Sequence, residues 1–149
     1  LAGITVISLP ATDLHLGGRA DSCRVRRTLA PIRKLRDGGV NVCIASNNIQ
    51  NAFTPYGNGD LLQIANLAIA AGHLGGGHDL PTVLPMLTKN PAKALHIGDY
   101  GLEEGCVADL VLLDSRDPAK AIIDLPQRLA VIKRGRLTVK TEIKTQIYR

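Results

Sequence analysis

The chain has 149 residues and a formal net charge of +5 at pH 7, with 45% hydrophobic and 3% aromatic residues. This composition excludes a disordered protein. The length suits one ordinary domain and is too short for a complete β/α barrel, which typically needs about 250 residues. The basic residues fall in two segments without interleaved aromatic side chains that could stack on bases, so we expect no nucleic-acid partner.

Membrane and redox motifs are also missing from the sequence. No apolar run reaches the length of a bilayer span, so we expect no membrane partner. Cys23, Cys43 and Cys106 form no CxxC pair, which argues against a zinc ribbon and against a redox motif. Because free thiols are typical of a reducing compartment, we expect a cytoplasmic protein.

The first hundred residues alternate between predicted strands and helices. Strands are indicated by β-branched and apolar runs, helices by apolar residues at helical spacing, and loops by glycine and asparagine. In chain order, the predicted elements are a strand at 4–9, a loop at 12–22, a helix over 29–36, a strand at 40–45, a polar loop at 46–60, and helices over 61–71, over 80–87 and from Thr88. This alternation is typical of parallel βα units, so we predict that the two strands lie side by side in parallel.

The pattern changes near residue 100. Segments 108–114, 128–133 and 136–140 are predicted strands, and Gly135 marks a two-residue turn that joins the last two into a hairpin. We therefore divide the chain into ranges 1–100 and 101–149.

Three stretches carry a family likeness. The stretch from Thr88-Lys-Asn-Pro-Ala-Lys-Ala-Leu95 through residues 101–114 resembles the C-terminal signature of the amidohydrolase superfamily, in which the last barrel helix precedes a glycine turn and an Ala-Asp-Leu-Val strand. Residues 9–19 and 39–57 are similar to the cytosine-deaminase branch, in the loops that follow the seventh and eighth barrel strands. The likeness covers nearly the whole chain.

The resemblance implies an α/β fold. Residues 1–100 would form the last two βα units of a TIM-type barrel, and residues 101–149 would form strands of the small β-sandwich domain of that superfamily. The missing N-terminal part of the barrel, or another chain, would be a partner, and a homo-oligomer stays open. Because two barrel strands cannot close a barrel, we predict exposed apolar surface on this chain alone.

The resemblance also implies hydrolytic deamination of a small heterocyclic substrate with a divalent metal, zinc or iron. Such a metal lowers the pKa of a bound water, and a carboxylate moves the protons. This chain has no His-x-His motif, and none of its four histidines matches a family ligand. His73 and His78 are separated by three glycines, so we interpret them as a solvated loop and not as a metal-binding pair. We expect the isolated chain to bind no metal and to be inactive.

Asn47 is the main departure from the family pattern. The resemblance places a metal-binding, proton-shuttling Asp at this position, and an amide is neutral and a poor base. Asn48 and Phe53 are implied to contact the substrate ring, whereas a polar turn after a strand is the alternative interpretation of the two asparagines. Two hypotheses follow. The chain is part of an enzyme that hydrolyses a C–N bond of a pyrimidine-like or related cyclic amidine, or it is a non-catalytic binding module or inactive paralogue.

Overall fold

The computed structural model describes residues 3–148, so the outermost residues of the two predicted ranges, 1, 2 and 149, lie outside it. The chain has an α/β fold with a parallel pair of strands, a helical layer and an antiparallel sheet. Its elements in chain order are β1 (Thr5–Ser8), α1 (Pro10–Leu16), α2 (Ile32–Asp37), β2 (Asn41–Ile44), α3 (Leu61–Gly72), α4 (Leu80–Leu87), α5 (Lys89–Ala94), β3 (Leu110–Leu113), α6 (Pro118–Asp124), β4 (Arg128–Lys133) and β5 (Arg136–Lys140).

Strands β1 and β2 pair in parallel, in a register that runs from Thr5 opposite Asn41 to Ser8 opposite Ile44. This confirms the predicted βαβ pairing, with α2 on the connection between the strands. Side chains extend the pairing at its amino end: Asn41 donates from Nδ2 to Thr5 Oγ1 at 2.9 Å. Asn90 of α5 donates from Nδ2 to the carbonyl oxygen of Val42 at 2.7 Å. The start of β2 is therefore bonded both to its partner strand and to a helix.

The hydrophobic core lies between β2 and the helices. Val42 and Ile44 alternate along β2, so one face of this strand contributes to the core. The largest buried apolar side chains of that core are Ile32, Val42, Ile44, Leu74, Val83, Met86 and Ile122. Among residues 3–148, no helix is both long enough and apolar enough to cross a bilayer.

Apolar side chains are also exposed, as predicted for an incomplete barrel. On β1, Ile4 before the strand is 65% exposed and Ile7 is 57% exposed. Val111, Leu112 and Leu137 of the antiparallel sheet are exposed as well. Both sheets therefore carry apolar surface that nothing in residues 3–148 covers.

The predicted loop at 12–22 is wrong in its first part, because α1 extends from Pro10 to Leu16. Pro10 occupies the first turn, where its fixed φ angle favours a helix and its missing N–H costs nothing. Gly17 ends the helix, and its N–H donates to the carbonyl oxygen of Asp13 at 2.9 Å. The glycines that suggested a loop follow the helix instead of replacing it.

The second sheet is antiparallel in the order β3–β4–β5, and it contains the predicted hairpin. Arg134 and Gly135 both have positive φ angles, 49° and 74°, as a two-residue hairpin turn with right-handed strand twist requires. Asp109 stabilises this turn, since it accepts a hydrogen bond from the N–H of Arg134 at 2.7 Å and pairs with Lys133. Asp109 therefore has a structural role in the hairpin.

Helix α6 was not predicted from the sequence. Asp117 caps it by accepting from the N–H of Ala119 at 2.8 Å, and Pro118 begins it. Its Ile122 is fully buried in the same core as Val42. The core therefore draws on both predicted ranges, and the division at residue 100 stays a prediction.

Candidate functional site

The segments that follow the two parallel strands lie at the same edge of the sheet and contact each other. Helix α1 follows β1, and the loop of residues 45–60 follows β2. The hydroxyl oxygens of Thr12 and Thr54 are 2.7 Å apart in a buried hydrogen bond. Tyr56 donates from its hydroxyl to the carbonyl oxygen of Ala11 at 3.0 Å. Because the carboxyl ends of parallel strands are where such folds place ligands, this edge is the candidate site.

Asn51 organises the loop from inside. Its side-chain oxygen accepts from the N–H groups of Phe53 and Thr54 at 3.0 and 3.1 Å. Its Nδ2 donates to Oδ1 of Asn48 at 2.8 Å. Gln50 closes the loop, since its side chain donates to the carbonyl oxygen of Gly57 at 2.9 Å. The segment 48–57 is therefore a compact unit that is held together by hydrogen bonds between its own residues.

The three site residues predicted from the sequence lie in this loop but do not converge. Asn47 is exposed and is the third residue after Ile44, the last residue of β2. Asn48 is half-buried, and Phe53 is 58% exposed. A pocket of about 150 Å³ lies beside the loop, and Asn48 is the only one of the three that lines it. The structure thus brings Asn48 to a concave surface and leaves Asn47 and Phe53 outside that pocket.

The pocket contains residues that sequence reasoning missed. Thr54 and Tyr56 line it from the loop, and Gln63 and Ile64 line it from the first turns of α3. Tyr56 also contacts His15 of α1, with the two rings edge to face and their centroids 5.7 Å apart. An aromatic residue in a polar loop was a signal for Tyr56, whereas nothing in the spacing pointed to Gln63.

Asp60 lines this pocket and lies immediately before α3. It caps α3 by accepting from the N–H of Leu62 at 2.9 Å, and it forms a two-pronged ion pair with Arg128 of β4, one arm measuring 2.9 Å. Burial would raise the pKa of Asp60, but the bonds from Arg128 and from the N–H of Leu62 outweigh it and hold the pKa below its ordinary value. The carboxylate is therefore charged at neutral pH and bonds the loop's end to the antiparallel sheet.

Asp60 and Arg128 also line a second, larger cavity of about 840 Å³ between the helices and β3. Many of its lining residues are leucine or valine, among them Leu84 and Leu87 of α4 and Val111 of β3. Its lining also includes Asp60 and Asp109, but each of these carboxylates is paired with a basic side chain, Arg128 and Lys133 respectively, so we place the candidate chemistry at the smaller pocket.

The described residues do not fit a metal ion on their own. Within residues 3–148, no group of three or more His, Cys, Asp or Glu side chains comes together. His73 and His78 are exposed on either side of the glycine turn, and Asn47 offers only a neutral amide. Burial raises the pKa of the Cys43 thiol, which keeps it in the protonated form that binds metals poorly.

Comparison with known proteins agrees with this fold. Residues 1–140 match the Amidohydrolase family. N-isopropylammelide isopropyl amidohydrolase of Pseudomonas sp. (strain ADP) is 43% identical over 114 residues, which is 76% of this chain and 28% of that protein. 5-Methylcytosine deaminase from Klebsiella pneumoniae, solved with 5-fluorocytosine, superposes with a TM-score of 0.92 at 37% identity, over 98% of this chain and 36% of that one.

Two further proteins are similar to this chain over most of its length. Pterin deaminase of Rhizobium rhizogenes is 29% identical over 91% of this chain and 31% of its own. A mutant of atrazine chlorohydrolase TrzN from Arthrobacter aurescens TC1, solved with zinc and atraton, superposes with a TM-score of 0.68 at 29% identity, over 93% of this chain and 32% of that one. The chain spans about a third of the length of each of these proteins.

Proposed function

Because the chain belongs to the amidohydrolase family, we propose that it is part of an enzyme that hydrolyses a C–N bond of a pyrimidine-like or related cyclic amidine. The relatives named for deamination of 5-methylcytosine and of pterin, and for hydrolysis of N-isopropylammelide, support a deaminase-type reaction. In this proposal the substrate is a small heterocycle, and the protein acts in the cytoplasm.

One structural observation carries the proposal. The segments after two adjacent parallel strands are bonded to each other, through Thr12 and Thr54 and through Ala11 and Tyr56, at the carboxyl edge of the strands. This is the edge at which β/α barrels build their active sites. We therefore assign β1 and β2 to the last two strands of a TIM-type barrel, and β3–β5 to its small β-sandwich domain. The other barrel strands would come from further sequence of a longer polypeptide or from another chain.

The loop residues receive separate roles in this proposal. Asn48 would bond the edge of the ring, because an amide both donates and accepts hydrogen bonds. Phe53 would pack on the face of the ring with its exposed side chain. Asn47 would lie where the family resemblance implies a carboxylate. A divalent metal, if bound in the complete protein, would supply an activated water, and its ligands would come largely from outside residues 3–148.

Asn47 itself supports a second candidate function. An amide cannot take the proton of the attacking water, so a complete protein with Asn47 would turn over slowly or only bind its heterocycle. The alternative is thus an inactive paralogue or a binding module derived from the same fold.

A grafted enzyme separates the two candidates. The region of the Klebsiella 5-methylcytosine deaminase that superposes on residues 3–148 would be replaced by this chain, with Asn47 and with Asn47→Asp. We expect both grafts to bind 5-fluorocytosine, and we expect Asn47→Asp to raise turnover of 5-methylcytosine by about 100-fold or more, with a higher metal content. The isolated chain with zinc or iron should deaminate nothing above the blank.

Other outcomes would contradict parts of this proposal. A folded Asn47→Asp graft that binds 5-fluorocytosine but does not turn over 5-methylcytosine would favour the binding-module alternative, and grafts that bind no pyrimidine at all would contradict the proposed substrate class. A graft that keeps Asn47 and works at the parental rate would remove the role given to a carboxylate at this position.

A further inference from the structure

Tyr56 connects the candidate site loop to the segment that follows the neighbouring strand. Within the compact unit 48–57, the backbone N–H groups of Gln50 and Asn51 donate to the carbonyl oxygens of Tyr56 and Thr54, at 3.3 and 3.0 Å. These bonds make the unit rigid internally but do not fix where it lies on the protein. Its position relative to β1 therefore depends on the bonds that leave it.

Two side-chain hydrogen bonds leave the unit toward α1. One joins the buried hydroxyls of Thr54 and Thr12, and the other runs from the Tyr56 hydroxyl to the carbonyl oxygen of Ala11. Both threonines of this pair are buried, so their bond contributes to folding as a whole. The Tyr56 ring is half open to solvent, and the ring packs edge to face on His15. The Tyr56 bond is therefore the one that can open without exposing the core.

The pocket lies directly behind this bond. Asn48, Tyr56 and Ala11 all line it, so a shift of Tyr56 away from Ala11 moves the wall to which Asn48 belongs. Asn48 is also held by Asn51 from within the unit, at 2.8 Å. If the unit shifts relative to α1, Asn48 therefore shifts with it as part of one rigid body.

We infer that Tyr56 is a positioning residue for ring binding: its hydroxyl fixes the 48–57 unit on α1 and so sets the place of Asn48. The inference rests on the proposed function, in which Asn48 bonds the heterocycle. The Tyr56 hydroxyl bonds the carbonyl oxygen of Ala11 and not the heterocycle. It lowers the fraction of molecules in which the loop has left its binding-competent place, which raises the apparent affinity.

The first test is hydrogen exchange on the 149-residue chain. Tyr56→Phe keeps the ring and its contact with His15 and removes only the O–H. We expect the amides of residues 50–54 to exchange about three- to tenfold faster, as for the loss of one ordinary hydrogen bond, with exchange in α3 unchanged. Tyr100→Phe removes a hydroxyl from a tyrosine outside the loop and should change neither region.

The second test asks whether Tyr56 acts through Asn48. In the grafted enzyme, Tyr56→Phe should weaken 5-fluorocytosine binding about three- to tenfold, and it should have no further effect when Asn48→Ala is already present. A purely structural role of Tyr56 would instead give additive losses, and additivity would overturn the inference. Unchanged exchange of residues 50–54 in Tyr56→Phe would also overturn it, whether or not the pyrimidine binds. Faster exchange together with no pyrimidine binding in any graft would contradict the proposed function alone.

Discussion

Arg36 and Asp79 form an ion pair, with 2.8 Å between Nη1 and Oδ1, that bonds α2 to the start of α4. Arg33, one helical turn earlier, donates to Oδ2 of the same carboxylate at 2.6 Å. The bond from Arg36 is the main cause that lowers the pKa of Asp79, with the charge of Arg33 adding to it. One carboxylate, 8% exposed, therefore fixes the connecting helix between the parallel strands to the helical layer.

We expect Asp79→Asn to destabilise the fold. The amide cannot neutralise two guanidinium groups, and at least one of them loses a charge-assisted hydrogen bond. The thermal midpoint should fall by about 3–8 °C, as for losses of comparable enclosed contacts in a chain of this size. Glu142→Gln is the control, because Glu142 is exposed and, among residues 3–148, pairs only with the exposed Lys140. A Glu142→Gln variant that loses as much as Asp79→Asn would show that enclosure of the carboxylate does not matter.

The ion pair of Asp60 and Arg128 predicts a loss of stability in acid. The pKa of Asp60 in the folded chain lies below its ordinary value of 3.8, so this carboxylate contributes stability above that value. The contribution should disappear as the pH falls through 3.8 toward the lower folded pKa. We therefore expect urea midpoints to stay level from neutral pH down to about 5 and to decline below about 4.

The variant Asp60→Asn isolates this carboxylate from the others. Asn keeps a side-chain oxygen for the N–H of Leu62 and so keeps the helix cap, but it has no charge to titrate. Its urea midpoint should be lower at pH 7 and should fall less steeply below pH 4 than that of the parent. Asp114→Asn, a change of an exposed carboxylate, should leave the parental profile in place. An unaltered acid slope in Asp60→Asn would exclude Asp60 as its source.

Two neighbouring isoleucines test whether α6 belongs to the main core. Ile122 is fully buried and Ile123 is 48% exposed on the same helix. Ile122→Ala should cost about 2–4 kcal/mol of unfolding free energy through lost burial and a residual cavity. Ile123→Ala should cost less than about 1 kcal/mol, because about half of that residue's surface already contacts water. Chemical unfolding measures both, and similar losses would place α6 away from the core.

The hairpin turn depends on the glycine at its second position. Gly135 has a φ of +74°, a region that an L-residue with a Cβ enters at a cost. Gly135→Ala should lower the unfolding free energy by about 1 kcal/mol. Gly98→Ala is the matched control, since a Cβ at Gly98 meets no atom of residues 3–148 within 4 Å and its φ is not positive. If Gly98→Ala is the more damaging change, the hairpin's turn does not have this geometry.

The sequence predicted elements with strong local patterns. The helix over 61–71 and the hairpin strands at 128–133 and 136–140 lie within a residue of α3, β4 and β5 in the structure. Short helices that begin at a proline were missed or misread, because α1 and α6 have too few turns to show a period of 3.6. The Asp117-Pro118 pair was an available helix-start signal for α6.

The site could be predicted only in part. The polar loop after β2 followed from composition, and Asn48 does line a pocket. The bonds from Thr54 to Thr12 and from Tyr56 to Ala11 join positions more than 40 residues apart, so they depend on how the two strands pair. Such contacts leave no periodic trace in the sequence. The roles of Asn47 and Phe53 stay predictions.

The parallel pairing of β1 and β2 has a consequence for how the chain folds. β4 and β5 are joined by two residues and can meet within about 1–10 μs, the time of hairpin formation. Thr5 and Asn41 are 36 residues apart and can meet only after the intervening segment has closed, which is a slower event. Until then the facing edges of both strands are unpaired and can bond other chains. We expect refolding yield to fall with protein concentration, because aggregation competes with this closure step.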